Sequence, residues 1–193
     1  MRRLLMIAGV VALTGVLVAG LLQAAGKKQA ETAAPFDLQA AKARLKGSPA
    51  PLAALHAQSG RLLEGGVPAF RARLRALRGQ PVVINKWASW CNPCRAEFPA
   101  MQQAATDRGR TVAFVGLNSG DSRQPAERFL KRYPTPFPSY VDPGEDIARA
   151  IDAPANYPVT VFLDAKGKPA FIHQGAYRSS AAIETDIDRY LGK

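Results

Sequence analysis

The sequence is poor in the residues that build metal centres and disulfide scaffolds. Its 193 residues include two cysteines and two histidines, and the histidines, His56 and His173, lie far apart. A structural zinc site needs four such ligands, usually in two pairs, so this composition argues against one. Two cysteines are also too few to staple a small scaffold through several disulfides. We therefore expect no metal and no cofactor.

The two cysteines nevertheless form a motif. Cys91 and Cys94 are separated by two residues and follow the apolar run at 81–84. A Cys-x-x-Cys pair at a helix N-terminus lowers the thiol pKa, and the second cysteine can resolve a mixed disulfide. We interpret the pair as a redox-active dithiol. A purely structural disulfide is the alternative, although so short a loop removes little chain entropy.

Acidic residues are also scarce. The chain has 15 Asp and Glu against 26 Lys and Arg, a formal net charge of +11. Arginines recur over 70–78 at a spacing that predicts a helix with a charged, solvated outer face. Attraction to an anionic membrane surface is a second interpretation. No recognition motif accompanies the charge, so we predict no nucleic-acid partner.

One long hydrophobic run stands at the N-terminus. Arg2 and Arg3 precede a largely apolar stretch at 4–25, about the 20 residues that span a bilayer. A cleaved signal peptide usually has a shorter apolar region and an A-x-A-like site. The run therefore predicts a single-pass signal-anchor over 1–26, with a cleaved signal and a secreted protein as the alternative. No cysteine stands at the end of the run, so we expect no lipid anchor. The rest of the chain is predicted to face the periplasm or cell envelope.

The remaining chain divides into a linker and one domain. Residues 27–51 are rich in Ala, Lys, Gln and Pro and are predicted as a linker, with the domain at 52–193. Predicted strands lie at 82–87, 111–117, 159–163 and 170–173, and predicted helices at 92–106, 124–133, 145–151 and 180–191. Strands joined by helices, followed by a hairpin, predict an α/β fold with a mixed central sheet flanked by helices. The Cys-x-x-Cys motif then follows the first core strand, where such sheets place active sites.

Two segments carry a family resemblance. Residues 87–99 read W-A-S-W-C-N-P-C-R-A-E-F-P, and residues 157–164 read Y-P-V-T-V-F-L-D. Together they resemble the active-site segment and the cis-proline strand of TlpA/ResA-like thioredoxins, which are membrane-anchored, extracytoplasmic thiol–disulfide oxidoreductases with a redoxin domain. The resemblance covers about 80–191. It implies a thioredoxin-like fold and protein-disulfide reductase activity of the cytochrome c maturation type.

The resemblance also implies roles for individual residues. Cys91 would be the attacking and more exposed nucleophile, and Cys94 the buried resolving thiol of the redox-active disulfide. Pro158 would be cis and face the cysteines, which exposes the backbone of Tyr157 to a substrate peptide. The implied substrate-binding residues are Trp90, Pro93, Tyr157 and Pro158.

Glu97 is a candidate catalytic residue. It lies three residues after Cys94, so the two share a helix face. Ordinary thioredoxins have a buried Asp relay where this chain has Asn85, and the resembling family has the Glu instead. A carboxylate near the thiols would raise a thiolate pKa and take the proton from Cys94. The alternative is a solvent-facing Glu97 that pairs with Arg95 or Lys131.

Lys86 departs from the family pattern, which commonly has an aromatic residue at that position. A lysine in a core strand is costly unless its ammonium reaches water or a carboxylate. We expect Lys86 either to extend to the surface or to pair with an acidic residue. His173, on the predicted hairpin, is interpreted as structural.

The sequence thus predicts an extracytoplasmic thiol–disulfide oxidoreductase. Its predicted partners are protein substrates with disulfides or thiols, a membrane-embedded electron donor and the membrane itself, and its soluble domain is predicted to be monomeric. A thiol peroxidase is one alternative, although no Thr closely precedes Cys91. A copper-binding metallochaperone is another, because thiolates suit Cu(I), but no Met-rich segment or nearby His assists.

Overall fold

The computed structural model describes residues 35–192, which form seven helices and six strands. In chain order the elements are α1 (Leu38–Arg44), α2 (Ala50–His56), β1 (Leu62–Leu63), α3 (Gly66–Ala76), β2 (Val82–Trp87), α4 (Asn92–Arg108), β3 (Ala113–Ser119), α5 (Arg123–Arg132), β4 (Ser139–Asp142), α6 (Asp146–Ala150), β5 (Val159–Leu163), β6 (Pro169–Gln174) and α7 (Ser180–Leu191).

The strands form one sheet in the order β1-β4-β3-β2-β5-β6. The central strand β2 pairs in parallel with β3 and antiparallel with β5. Strand β6 extends the antiparallel side, and β4 and β1 extend the parallel side. This confirms the predicted α/β fold with a mixed sheet, and it places a fully buried inner strand directly before the Cys-x-x-Cys motif.

Helices cover both faces of the sheet. Val82 and Ile84 of β2 pack with Phe70 of α3 on one face, whereas Val83 packs with Ile183 of α7 on the other. The alternation follows from the two-residue period of a strand. Because both faces are covered, all six residues of β2 are buried, as expected of a central strand in an α/β sheet.

The element boundaries largely follow the prediction. Strands β2 and β5 and helix α7 have the predicted limits. Helix α4 continues two residues beyond the predicted end, and β3 therefore begins later and runs to Ser119. The Arg-rich segment is helical, as predicted, over Gly66–Ala76.

The predicted linker is partly wrong. Residues 27–34 lie outside the described part of the chain, but Leu38–Arg44 is a helix, with Asp37 as its N-cap. Leu45 is buried (3% exposed) and packs against Gly109, where an added Cβ would lie 2.7 Å from Leu45 Cδ2. The chain from Phe36 onward forms one compact unit. The ordered domain thus begins well before residue 52, because a few buried side chains dock a helix whose apolar period is weak.

The predicted anchor over residues 1–26 also lies outside the described residues. Between residues 35 and 192, none of the helices has both the length and the apolar character that a membrane crossing requires.

Replacement of Leu45 tests the corrected boundary. We expect Leu45→Ala to lower the free energy of unfolding by about 2–5 kcal/mol, the range for a buried leucine. Chemical denaturation is the measurement, and the exposed neighbour Lys46→Ala is the matched control. Equal, small effects of the two changes would show that residues 36–51 are a linker after all.

Candidate active site

The cysteines lie at the junction between β2 and α4. Cys91 is the N-cap of α4, and its Sγ accepts a hydrogen bond of 3.1 Å from the backbone N–H of Cys94. Pro93 lies in the first helical turn, where its missing N–H costs nothing. Cys91 and Cys94 form a disulfide, with their Cα atoms 5.3 Å apart. The local sequence thus places both sulfurs at the positive end of a helix dipole.

The two sulfurs differ slightly in access. Cys91 is 3% exposed and Cys94 is fully buried. Both pack in an apolar cluster with Trp87 and Phe98, whose rings meet edge to face at 5.3 Å. Cys91 is thus the slightly more accessible residue of the pair, although it is less exposed than the resemblance led us to expect.

Glu97 is completely buried on the inner face of α4. Its Oε1 accepts a 2.7 Å hydrogen bond from Asn85 Nδ2, and its Oε2 accepts one of 3.2 Å from the backbone N–H of Tyr177. The solvent-facing alternative is thus wrong. Burial raises the pKa of Glu97 to about 7, against the opposing effect of the two hydrogen bonds. A group with that pKa can accept and release a proton near neutral pH.

Asn85 begins a row of polar side chains across the sheet. It pairs with Thr160 of β5, which pairs with His173 of β6. The Asn85 amide can hydrogen-bond to Glu97 whether that group is a carboxylate or a carboxylic acid, since an amide donates from its NH2 and accepts at its oxygen. His173 stacks on the ring of Tyr177 with centroids 3.9 Å apart, a packing role that agrees with the structural interpretation. Asn85 is the member of this row that binds the buried carboxyl.

Two aromatic side chains, Trp90 and Tyr157, form a platform beside the disulfide. The Tyr157–Pro158 peptide bond is cis, as the resemblance implied. Tyr157 contacts Trp90 edge to face, with ring centroids 5.0 Å apart. Trp90 is 57% exposed, the one large apolar side chain exposed among residues 35–192, and its Nε1 donates to the carbonyl of Gly120 at 3.0 Å. An ordered, exposed apolar ring next to a reactive pair suits contact with a substrate.

Lys86 is buried (1% exposed) and pairs with an acidic residue, one of the two expected outcomes. Its Nζ lies 3.0 Å from Glu145 Oε2 and donates to the carbonyls of Pro154 at 2.9 Å and Ala155 at 3.4 Å. It also lies 4.0 Å from the ring centroid of Tyr157. Sequence reasoning did not identify Glu145 as the partner, because no short-range pattern connects residues that far apart.

Sequence reasoning also missed Asp121. Its carboxylate accepts hydrogen bonds from the backbone N–H and hydroxyl of Ser89 at 2.6 and 3.0 Å. It also accepts from Asn118 Nδ2 at 2.9 Å and the backbone N–H of Ser122 at 2.8 Å. Asp121 thereby ties the loop before Cys91 to the end of β3. The available signal was the turn-rich stretch at 118–122.

Comparison with known proteins identifies the family to which the chain belongs. Residues 62–171, more than half of the chain, match the AhpC/TSA family. The thiol-disulfide oxidoreductase ResA of Bacillus subtilis is 32% identical over 111 residues, 57% of this chain and 62% of that protein. The thiol:disulfide interchange protein DsbE of Escherichia coli K12 is 31% identical over 98 residues, 51% of each chain. The chain thus spans less than two thirds of these relatives, and it belongs to the AhpC/TSA family.

Solved structures confirm the thioredoxin-like fold. A putative thiol:disulfide interchange protein DsbE from Chlorobium tepidum aligns with a TM-score of 0.56 and 30% identity, covering 62% of this chain and 85% of that one. A secreted disulfide oxidoreductase of Mycobacterium tuberculosis aligns with a TM-score of 0.54 and 26% identity, covering 60% and 85%.

The buried carboxyl should make stability depend on pH. The pKa of Glu97 is about 7 in the fold against an ordinary 4.5, so the folded protein holds this proton over a range where the unfolded chain has lost it. Stability should therefore fall as pH rises from about 4.5 to about 7, by up to about 3 kcal/mol. Glu97→Gln should remove this component.

Urea denaturation of the oxidised protein between pH 4.5 and 7.5 measures the effect, with the exposed Glu64→Gln as control. Parallel pH profiles for wild type and Glu97→Gln would contradict the raised pKa.

Proposed function

We propose that this member of the AhpC/TSA family is a thiol–disulfide oxidoreductase that exchanges its Cys91–Cys94 pair with disulfides of protein substrates. One observation carries the proposal: the disulfide caps α4, and the fully buried Glu97 follows it one helical turn later. The names of the relatives, thiol-disulfide oxidoreductase and thiol:disulfide interchange protein, support the same reaction.

In the reductive direction, the reaction starts from the dithiol. The Cys91 thiolate attacks one sulfur of the substrate disulfide, forms a mixed disulfide and releases the other substrate sulfur as a thiolate. The electropositive N-terminus of α4 stabilises the Cys91 thiolate. Cys91 is assigned this role because it caps the helix and is the slightly more exposed residue of the pair.

The second step closes the internal disulfide. Glu97, as a carboxylate, takes the proton of Cys94, and the Cys94 thiolate attacks Cys91 Sγ. The mixed disulfide breaks, the substrate leaves as a dithiol after protonation, and two electrons have moved from the protein to the substrate. Since burial places the pKa of Glu97 at about 7, the group is suited to this proton transfer near neutral pH.

Substrate binding is assigned to the aromatic platform. Trp90 offers an exposed ring, and Tyr157 and Pro158 directly precede Val159, the first residue of β5. A substrate segment that lies along the cis peptide can add backbone hydrogen bonds in the manner of an extra strand. Pro93, exposed in the first turn of α4, lies in the sequence between the two sulfurs and completes the proposed contact set.

We place the reaction on the extracytoplasmic side of a membrane. The apolar run at 4–25 supports a signal-anchor or a cleaved signal, and the relative from Mycobacterium tuberculosis is described as secreted. A reductant in that location gives up two electrons per substrate disulfide and is left with its own disulfide, so a membrane-embedded dithiol donor must reduce it again. Apocytochrome c thiols are the proposed substrate class, by analogy with the resembling family.

The two alternatives find less support in the site. A thiol peroxidase would use a Thr shortly before Cys91, but residues 88–90 are Ala, Ser and Trp, and the Ser89 hydroxyl donates to Asp121. Within residues 35–192, no three His, Cys, Asp or Glu side chains are grouped as metal ligands around the cysteines or elsewhere. Rapid sulfenic acid formation at Cys91 with peroxide would revive the first alternative. Copper binding that survives glutathione competition would revive the second.

Trapping tests the roles of the two cysteines. Cys94→Ser should accumulate mixed disulfides with an oxidised protein such as insulin, because Cys91 can attack but nothing resolves the product. Non-reducing electrophoresis measures the adduct, and the double variant Cys91→Ser, Cys94→Ser is the blank. Adducts that form with Cys91→Ser and not with Cys94→Ser would reverse the assignment.

The reduction potential tests the working direction. A reductant should have a potential near that of thioredoxin, about −270 mV, when equilibrated with defined thiol buffers. A potential near about −120 mV, as in strong oxidants, would mean that the protein donates disulfides instead.

A further inference from the structure

Lys86 is a buried charge that the proposed reaction does not use. It lies on β2, the strand that leads to Cys91, and its side chain is 1% exposed. An ammonium group taken out of water is costly unless acceptors and an opposite charge surround it. The carboxylate of Glu145 and the carbonyls of Pro154 and Ala155 meet that requirement.

All of these contacts are made with one segment of the chain, residues 145–157. Glu145, the two carbonyls and the ring of Tyr157, which lies 4.0 Å from Lys86 Nζ, belong to the stretch that ends at cis-Pro158. A cation over an aromatic face adds attraction when both are shielded from water. Lys86 thus binds the segment before Pro158 to the central strand at four points.

Tyr157, which contacts Lys86, also connects it to the exposed ring of Trp90. Tyr157 packs edge to face on Trp90, and Trp90 donates to the carbonyl of Gly120. An added Cβ on Gly120 would lie 2.7 Å from Tyr157 Oη and 3.2 Å from Glu145 Oε1. Lys86, Tyr157, Trp90, Gly120 and Glu145 therefore form a closed set of contacts, with the ammonium on its buried side and the indole on its exposed side.

Lys86 also balances the negative charge of the carboxylates around Tyr157. Burial and then the carboxylates of Glu145, Asp142 and Asp121 raise the pKa of Tyr157 well above its usual value. Asp142 accepts from the N–H groups of Ile147 and Ala148, whereas Glu145 is paired with the ammonium. The lysine offsets the negative charge next to the tyrosine ring.

We propose that Lys86 is a positioning residue for substrate binding, which holds Tyr157, Trp90 and the peptide before Pro158 in the arrangement that docks a protein chain beside the disulfide. The inference rests on the proposed function. Being buried, Lys86 does not touch the substrate and takes no part in sulfur or proton transfer. Its loss should affect the binding of a protein substrate more than the chemistry.

Lys86→Met keeps an unbranched side chain, one atom shorter, and removes the ammonium group. In insulin reduction by the full chain, we expect KM to rise about tenfold with a smaller change in kcat, since misplacement of binding groups by about 1 Å can cost up to about a hundredfold. Reduction of hydroxyethyl disulfide, which needs no docked peptide, should fall much less. The matched control, Lys166→Met, removes the same charge from an exposed turn.

Tryptophan quenching gives a readout that does not need activity. Of the two tryptophans, Trp87 is fully buried and Trp90 is 57% exposed, so acrylamide quenching reports mainly on Trp90. Lys86→Met should increase quenching and shift the emission, because Tyr157 is released from the indole. Lys166→Met should match wild type.

The outcomes separate the two proposals. A wild type that reduces neither substrate overturns the proposed function, and quenching still decides whether Lys86 orders the platform. Unchanged KM and quenching in folded Lys86→Met, or an equal loss with both substrates, overturns the role of Lys86. If Lys86→Met does not fold, Glu145→Gln is the second variant, because it keeps the ammonium group and its bonds to the two carbonyls. It should raise KM by a smaller factor than Lys86→Met, and an unchanged KM overturns the proposal.

Discussion

The site depends on the burial of one carboxyl group. Glu97 has no exposed surface, and two hydrogen bonds from Asn85 and the backbone of Tyr177 hold it under the helix that the cysteines begin. An enclosed carboxylate is unfavourable, so the group keeps its proton to a higher pH than usual. The proton acceptor of the proposed resolving step is thus produced by the packing of three elements, α4, β2 and the chain that leads into α7. Without that enclosure Glu97 would be an ordinary surface acid, fully ionised at neutral pH and of little use as a base.

Two adjacent residues of the central strand β2 contact opposite sides of the site. Adjacent strand residues point to opposite faces, so Asn85 faces Glu97 whereas Lys86 faces the segment that ends at cis-Pro158. One polar residue contacts Glu97, the group proposed to transfer the proton, and the next contacts the segment proposed to bind the substrate. Both polar side chains are completely enclosed in a strand of otherwise apolar residues. Such costly placements in a core strand are expected where function requires them.

The sequence predicted the parts of the site that depend on local spacing. The Cys-x-x-Cys pair, the strand before it and the helical turn from Cys94 to Glu97 all follow from short-range pattern, and the later proline follows from the resemblance. Contacts over long separations could not be predicted in this way. Tyr177 donates to Glu97 across 80 residues, and Lys86 reaches Glu145 through the fold. Helix α1 was missed for a related reason, since it is stabilised by docking on the domain and its own apolar pattern is weak.

The most direct test of the account is a titration of the Glu97 carboxyl itself, by carbon-detected NMR on the selectively labelled protein in its oxidised form. Enclosure beneath the disulfide predicts a midpoint of about 7. A midpoint near the ordinary value of 4.5 would contradict this assignment, because the Glu97 carboxylate would then be too weak a base to take the proton of Cys94 efficiently.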